Sequence, residues 1–302
     1  QIEHTSFRRF SLSKKESSLK KRIFSLSTIN NTKMIPKCPK IIHYNWFGPI
    51  INKSDRENLV KNLKRTGLGE NAWTSILWTA SRFCDPKTYE SNVAFVKELQ
   101  KQKYNICVRS IDELDLTKED EEMLQKLWKD TQRLRKLRKE FPSKYPGLRV
   151  TWIAAMSDFC RMLSIYKFGG IWADIGDTLF PKNFAIVWEK YGLDNMPGAG
   201  FRVAMNHSGI VRNPSQHLFA ARIRAPIILA FIQRMRKLWK TRMCNIDIED
   251  PKFDAISSTL AWTGMGGTTG PIMRSTPCDV DGKRTNVMDA WKMGFADVRM
   301  GK

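Results

Sequence analysis

The chain has 302 residues, 42% hydrophobic and 11% aromatic, which is too apolar for a disordered protein and enough to build a real core in one large domain or two modest ones. Its formal charge is +21, from 51 basic and 30 acidic residues. Such a charge bears on partners rather than fold: acidic membrane surfaces, nucleic acids and phosphorylated small molecules stand against the plain alternative of a merely basic protein.

Residues 1–33 are rich in Ser, Lys and Arg, with Phe7, Phe10, Leu12, Leu19, Ile23, Phe24 and Leu26 interleaved. They read either as a flexible leader or as a basic amphipathic segment for an anionic membrane surface. No signal-peptide core is evident, and no apolar run reaches the ~18 residues needed to span a bilayer. The first residue is Gln, which suggests a chain cut from a longer one, so an upstream signal or anchor remains an open alternative. The six cysteines form no CxxC pair and are irregularly spaced, which argues against a zinc site or a small disulfide scaffold and fits free thiols in a reducing compartment, with pairing in a secreted protein as the alternative.

Two prolines lead into Lys40-Ile41-Ile42-His43-Tyr44, a short buried-strand run, and Trp46-Phe47-Gly48 follows as a turn. An aromatic at a strand end can seat a flat ring, or simply fill the core. His43, inside an apolar strand, reads as a satisfied core histidine. Residues 53–66 carry a helical pattern (Leu59, Val60, Leu63) that stops at Gly67, and Ala72–Thr79 predicts the second strand. Strand, helix, strand in this order predicts an α/β sheet.

Residues 85–141 are mostly helical in pattern and heavily charged, with Ile106-Cys107-Val108 as a candidate strand. We read the remainder as a helical insertion whose basic stretch, 126–139, is either a solvated face or a surface for phosphates or an acidic protein.

Val150 to Pro181 is the richest stretch: VTWIAAMSDFCRMLSIYKFGGIWADIGDTLFP. It predicts a buried helix, a Gly169-Gly170 stop, a strand over 171–173 and an acidic loop closed by proline. Asp158 and Arg161, three apart, share a helix face. Asp174 and Asp177 fall at the strand's carboxyl edge, where α/β sheets present ligands. Acids there suit a hard divalent cation, Mn2+ or Mg2+, that would neutralise a diphosphate leaving group.

Downstream, Phe184–Tyr191 predicts a short helix and Gly198-Ala199-Gly200 a turn. Phe201–Met205 and Ser208–Arg212 predict two strands joined at Asn206-His207, and Ala225–Lys240 a helix. No acid occurs between Asp194 and Asp247, whereas nine basic residues do. This one-sided span is a candidate binding surface. The loop WTGMGGTTGP at 262–271 can approach phosphates through its backbone, but it is neither a Walker A nor a dinucleotide fingerprint. No HExxH, GxSxG or zinc-deaminase pattern occurs, and nothing points to specific nucleic-acid recognition.

IPKCPKIIHYNWFG resembles the IPKxIHxxWxG opening of glycosyltransferases with a GT-A fold. MSDFCRMLSIYKFGGIWADIGD resembles their SDxxRxxxLxxxGGxYxDxD signature. This superfamily includes large clostridial glucosylating cytotoxins, related bacterial effectors and yeast-type mannosyltransferases. The resemblance implies an α/β, Rossmann-like GT-A sheet for nucleotide-sugar binding over residues 34–302, with the helical insertion at about 85–141. It implies that Trp46 stacks on the nucleotide base, that Asp158 and Arg161 hold donor-sugar hydroxyls, and that Asp174 lies near the ribose and metal. Gly266, Gly267 and Thr268 fall in the loop where such enzymes close over the diphosphate. One departure stands out: the second DxD acid is Gly176, with Asp177 next, giving DxxD. Asp177 is then the expected second metal contact.

The expected activity is transfer of a hexose or N-acetylhexosamine from a UDP-linked donor, UDP-glucose or UDP-GlcNAc, to an acceptor hydroxyl on a protein, with retention. The rivals are a metal-impaired, non-catalytic binding protein on this fold and a Golgi-lumen transferase using GDP-mannose. A secreted bacterial effector or toxin acting in a host cytosol is the expected setting.

Overall fold

The computed structural model describes residues 37–67, 72–143, 152–176, 180, 184–190, 194–195, 201–208, 211–248, 250, 278–280 and 283–285. The leader 1–33, the turn at Gly198–Gly200 and the loop at 262–271 lie outside the described residues.

Strand β1 (Ile41–Asn45) is buried along its whole length. That is how an apolar run reads when a parallel strand is covered on both faces. It runs parallel to β2 (Thr74–Thr79) on one side and to β4 (Gly170–Ala173) on the other. β3 (Ile106–Ser110) adds parallel to β2 at the edge. Beyond β4 the sheet turns antiparallel: β6 (Val211–Ala221) pairs with β4, and β5 (Phe201–Ser208) with β6. The order is β3-β2-β1-β4-β6-β5. A separate antiparallel pair joins β7 (Cys278–Val280) to β8 (Lys283–Thr285). The α/β sheet expected from the sequence is present, with a parallel Rossmann-like half.

Four helices enter with recognisable starts. α1 (Lys53–Arg65) is capped by Asn52 and ends at Thr66, before Gly67 at φ 100°. α2 (Pro86–Lys101) has Asp85 as N-cap and Pro86 in its first turn, where a missing N–H costs nothing. α3 (Lys118–Glu140) opens on a capping box in which Thr117 and Asp120 exchange side-chain and backbone hydrogen bonds. α6 (Pro226–Thr241) opens on proline after Ala225. The span 85–141 thus holds α2 and α3, with β3 between them in the central sheet.

α4 (Trp152–Phe168) is the central helix, buried nearly all round, and it packs on α3, α6 and β1. Arg236 of α6 grips the buried Asp120 carboxylate with two hydrogen bonds, at 2.8 and 2.6 Å, and Lys240 reaches Glu119 at 2.7 Å. The basic span downstream of Asp194 is therefore partly consumed by the acidic first turn of α3 rather than left as one open surface.

The two-glycine stop works as predicted and for an added reason. Gly169 adopts φ 62° and its N–H donates to Ile165 O at 2.8 Å. Gly170 has φ 103°, and a Cβ there would lie 2.4 Å from Ile41 O. β1 and β4 can meet this closely only without a side chain. His43 sits beneath, its Nε2 bonded to Gly169 O at 2.7 Å and its Nδ1 accepting from the Trp78 indole at 2.9 Å. Both ring nitrogens are thus used, as expected of a core histidine. Burial, reinforced by the Arg109 charge and only partly offset by the bond to Gly169, pushes its pKa down to about 4.

On the other side, α5 (Phe184–Lys190) brings Phe184 and Trp188 against Trp73 and Phe180 in an aromatic cluster with centroids 4.5–5.6 Å apart. Cys38, Cys84, Cys107, Cys160 and Cys244 are free thiols. No described helix is long and apolar enough to cross a membrane.

One boundary differs from the sequence reading. Asn206-His207 does not turn; β5 runs through it to Ser208 and the connection falls between Ser208 and Val211. β6 then continues to Ala221, because pairing with β4 and β5 extends it past Arg212.

Candidate active site

The carboxyl ends of β1 and β4 lie side by side, since these strands are parallel neighbours. β1 delivers Asn45 and then Trp46; β4 delivers Asp174. α4 runs behind them with Ser157, Asp158 and Arg161.

Arg161 is the hub. Its Nη2 lies 2.8 Å from Asp158 Oδ1 and 3.5 Å from Asp174 Oδ1. Its guanidinium sits 4.6 Å over the Trp172 ring. Only 7% of its side chain is exposed, so the pair with Asp158 is no solvated helix-face bridge. The Trp172 indole N–H donates to Asp174 Oδ1 at 2.8 Å. Asp174 follows the last residue of β4, two positions after Trp172, and so falls on the same side. Asp174 is thereby fixed from two directions, while 29% of its side chain stays open to solvent.

Asn45 and Ser157 clasp strand to helix: Asn45 Nδ2 donates to Ser157 O at 2.8 Å, and Ser157 Oγ donates to Asn45 Oδ1 at 2.5 Å. Trp46 is half-buried; its N–H donates to Trp78 O at 3.0 Å and its indole N–H to Pro49 O. The fold therefore brings Trp46, Asp158, Arg161 and Asp174 to one edge of the sheet. Asp177, Gly266, Gly267 and Thr268 lie outside the described residues.

Two contacts were not foreseen. Asn58 of α1 donates to Gly176 O at 2.7 Å. A Cβ built on Gly176 would meet Asp55 Oδ1 at 3.5 Å. The sequence signals for these were faint: an Asn52-Lys53-Ser54-Asp55 helix start, and an asparagine one turn later.

Among the described residues no three His, Cys, Asp or Glu side chains converge as a metal set. Asp174 nonetheless offers a hard carboxylate oxygen, with 29% of its side chain open to solvent. Carboxylate oxygens of this kind suit Mg2+ or Mn2+, which keep several waters and take one or two carboxylates. Among the described residues, Asp174 is the side chain at this edge that would take such an ion.

The site is thus an Asp158–Arg161–Asp174 ion-pair chain at the carboxyl edge of a mixed α/β sheet. Residues 89–193 match the family described as glycosyltransferase sugar-binding region containing DXD motif. No curated protein matches the chain. Among solved structures it is similar to the PaToxG glycosyltransferase, at 17% identity and TM-score 0.46, over 82% of this chain and 73% of that one. It is also similar to the UDP-bound glycosyltransferase domain of the YGT toxin, at 11% identity and TM-score 0.35, over 76% and 68%. The catalytic domain of alpha-toxin from Clostridium novyi aligns at 10% identity and TM-score 0.37, over 94% and 72%.

Proposed function

We propose that the protein transfers a hexose or N-acetylhexosamine from UDP-glucose or UDP-GlcNAc to a hydroxyl of an acceptor protein, with retention at the anomeric carbon. The observation that carries this reading is the Asp158–Arg161–Asp174 relay at the open end of β4, inside the matched sugar-binding region.

In this reading Trp46 offers its ring face to the base. Asp158 and Arg161 orient donor hydroxyls through charge-assisted hydrogen bonds. Asp174, clamped by Trp172 and Arg161, faces the ribose. A divalent cation, Mn2+ or Mg2+, held by Asp174 and a second carboxylate, would neutralise the charge that develops on the departing diphosphate. The residues themselves contribute positioning and fixed charge, the two effects that matter most where no general base is needed. The same resemblance supports a setting as a secreted effector or toxin in a host cytosol, with the basic leader as a contact for anionic membrane.

Donor hydrolysis across a panel of nucleotide sugars with Mn2+ tests the reading. UDP-linked donors should be cleaved and Asp174→Ala should abolish the turnover. Undiminished hydrolysis by that variant removes Asp174 from the mechanism; turnover confined to GDP-mannose overturns the donor assignment.

A further inference from the structure

One side of α1 faces an open groove. Leu59, Asn62 and Leu63 are buried, whereas Lys53, Arg56, Glu57, Val60, Lys61 and Lys64 recur at three- and four-residue spacing and line the groove together. Ile50 and Ile51, in the loop that follows β1, form its other wall. The groove holds about 670 Å3, within the range of a ligand site. Ile50 is 46% exposed there, one of two large apolar side chains so exposed among the described residues.

Its charge is one-sided: four cations face one acid, Glu57. Among the described residues Glu57 forms no ion pair with Lys53 or Lys61, although it stands four positions from each. The Arg56 guanidinium is already engaged, since its Nε donates to Ile51 O at 2.8 Å and the group lies 4.7 Å over the Phe95 ring. Lys53, Lys61 and Lys64 keep their ammonium groups for a ligand. Lys53 and Lys64 stand eleven positions apart, about 16 Å along the helix axis. That is the length of about five residues of extended chain. Point charges spread in this way suit a string of carboxylates better than one phosphate, which planar guanidinium forks grip best.

The groove also borders the candidate active site. Its loop wall begins just past Trp46, whose indole N–H donates to Pro49 O. On the neighbouring face of α1, Asn58 Nδ2 holds Gly176 O at 2.7 Å, two residues past Asp174.

We propose that this groove docks an extended acidic segment of the acceptor protein, about five residues long. Its carboxylates meet Lys53, Lys61 and Lys64, and an apolar side chain lies between Ile50 and Val60. A bilayer surface would touch only the rims of such a recess, whereas a chain fills it. This inference rests on the glycosyl-transfer reading given above and adds how the acceptor is selected.

The probe is a fluorescein-labelled Glu-Glu-Leu-Glu-Glu peptide, titrated with the full chain and read by fluorescence anisotropy. The parent should bind it and release it as salt rises. Lys61→Glu with Lys64→Glu should weaken binding about tenfold or more, and Lys61→Gln with Lys64→Gln, milder for the helix, about threefold. Thermal unfolding checks that each variant folds. Lys129→Glu with Lys139→Glu, an equal change of net charge on exposed residues of α3, should bind like the parent. Equal losses in the α1 and α3 variants would mean that net charge alone holds the peptide, which overturns the proposal. So does binding of phosphatidylserine vesicles, but not of peptide, that depends on Lys61 and Lys64. Donor hydrolysis, measured in parallel, separates this inference from the reading beneath it. A parent that hydrolyses a nucleotide sugar but does not bind the peptide sinks the groove assignment and leaves glycosyl transfer standing. A parent that binds the peptide through Lys61 and Lys64 but hydrolyses no donor keeps the docking groove, and the groove's role in transfer falls with the activity.

Discussion

The indole of Trp172, on β4, donates to the carboxylate of Asp174, just past the strand's end, at 2.8 Å. The ring has two tasks, since it also lies under the Arg161 guanidinium. Trp172→Phe keeps an aromatic face but removes the donor. Chemical denaturation should show a loss of about 1–3 kcal/mol, part hydrogen bond and part cavity. UDP affinity by titration calorimetry should fall roughly three- to tenfold as Asp174 loses its clamp. Unchanged affinity would mean that the indole does not position the acid.

Removing Arg161 leaves Asp158 and Asp174 without their shared counter-charge. Arg161→Met should cost about 3 kcal/mol, the low end for breaking a buried pair, because Asp174 is partly solvated. The double change Asp158→Asn with Arg161→Met should cost less than Arg161→Met alone. Strict additivity in that cycle would argue against a coupled pair.

Gly170 allows no side chain. A Cβ would fall 2.4 Å from Ile41 O, at a φ that L-residues rarely adopt. Gly170→Ala should lose about 3 kcal/mol or more, combining backbone strain with overpacking between β1 and β4. A shift in the unfolding midpoint as small as that of a surface substitution would show that the strands separate freely.

His43 sets a pH dependence of stability. Its folded pKa of about 4 lies below the unfolded value of 6.5, so the unfolded chain binds the proton more readily. Stability is full above the unfolded value, declines as pH falls through 6.5 and levels off below about 4, a loss of about 3 kcal/mol at most. Denaturant midpoints at pH 7 and pH 5 read the slope. His43→Phe should be weaker at pH 7, with Trp78 and Gly169 left unpaired, but flatter with pH.

Local pattern reached far into this fold. The largely apolar run at 41–44 read as a covered strand, and the spacing of Leu59 and Leu63 with Gly67 behind them marked α1. Asp158 and Arg161 were readable as one helix face because their separation is local. What the sequence did not disclose were meetings across elements: Arg161 with Asp174, Asn45 with Ser157, Asn58 with Gly176. Each depends on which strand lies beside which, and β1–β4 adjacency spans 126 residues between His43 and Gly169. Asn206-His207 looked like a turn because both residues favour one, but cross-strand pairing outweighed that preference.

The first turn of α3 is tied to α6 by charge. Arg236 and Lys240 tie its first turn, its buried residues run from Asp120 to Leu134, and by Phe141 the side chain is 51% exposed. Such a helix has no single stability. Its amides should exchange with deuterium progressively faster from Leu124 towards Glu140, and a protease should nick the far end while the sheet remains intact. The 23-residue rod would then behave less like a uniform strut than like a tapered spring, stiffest at its root against α6.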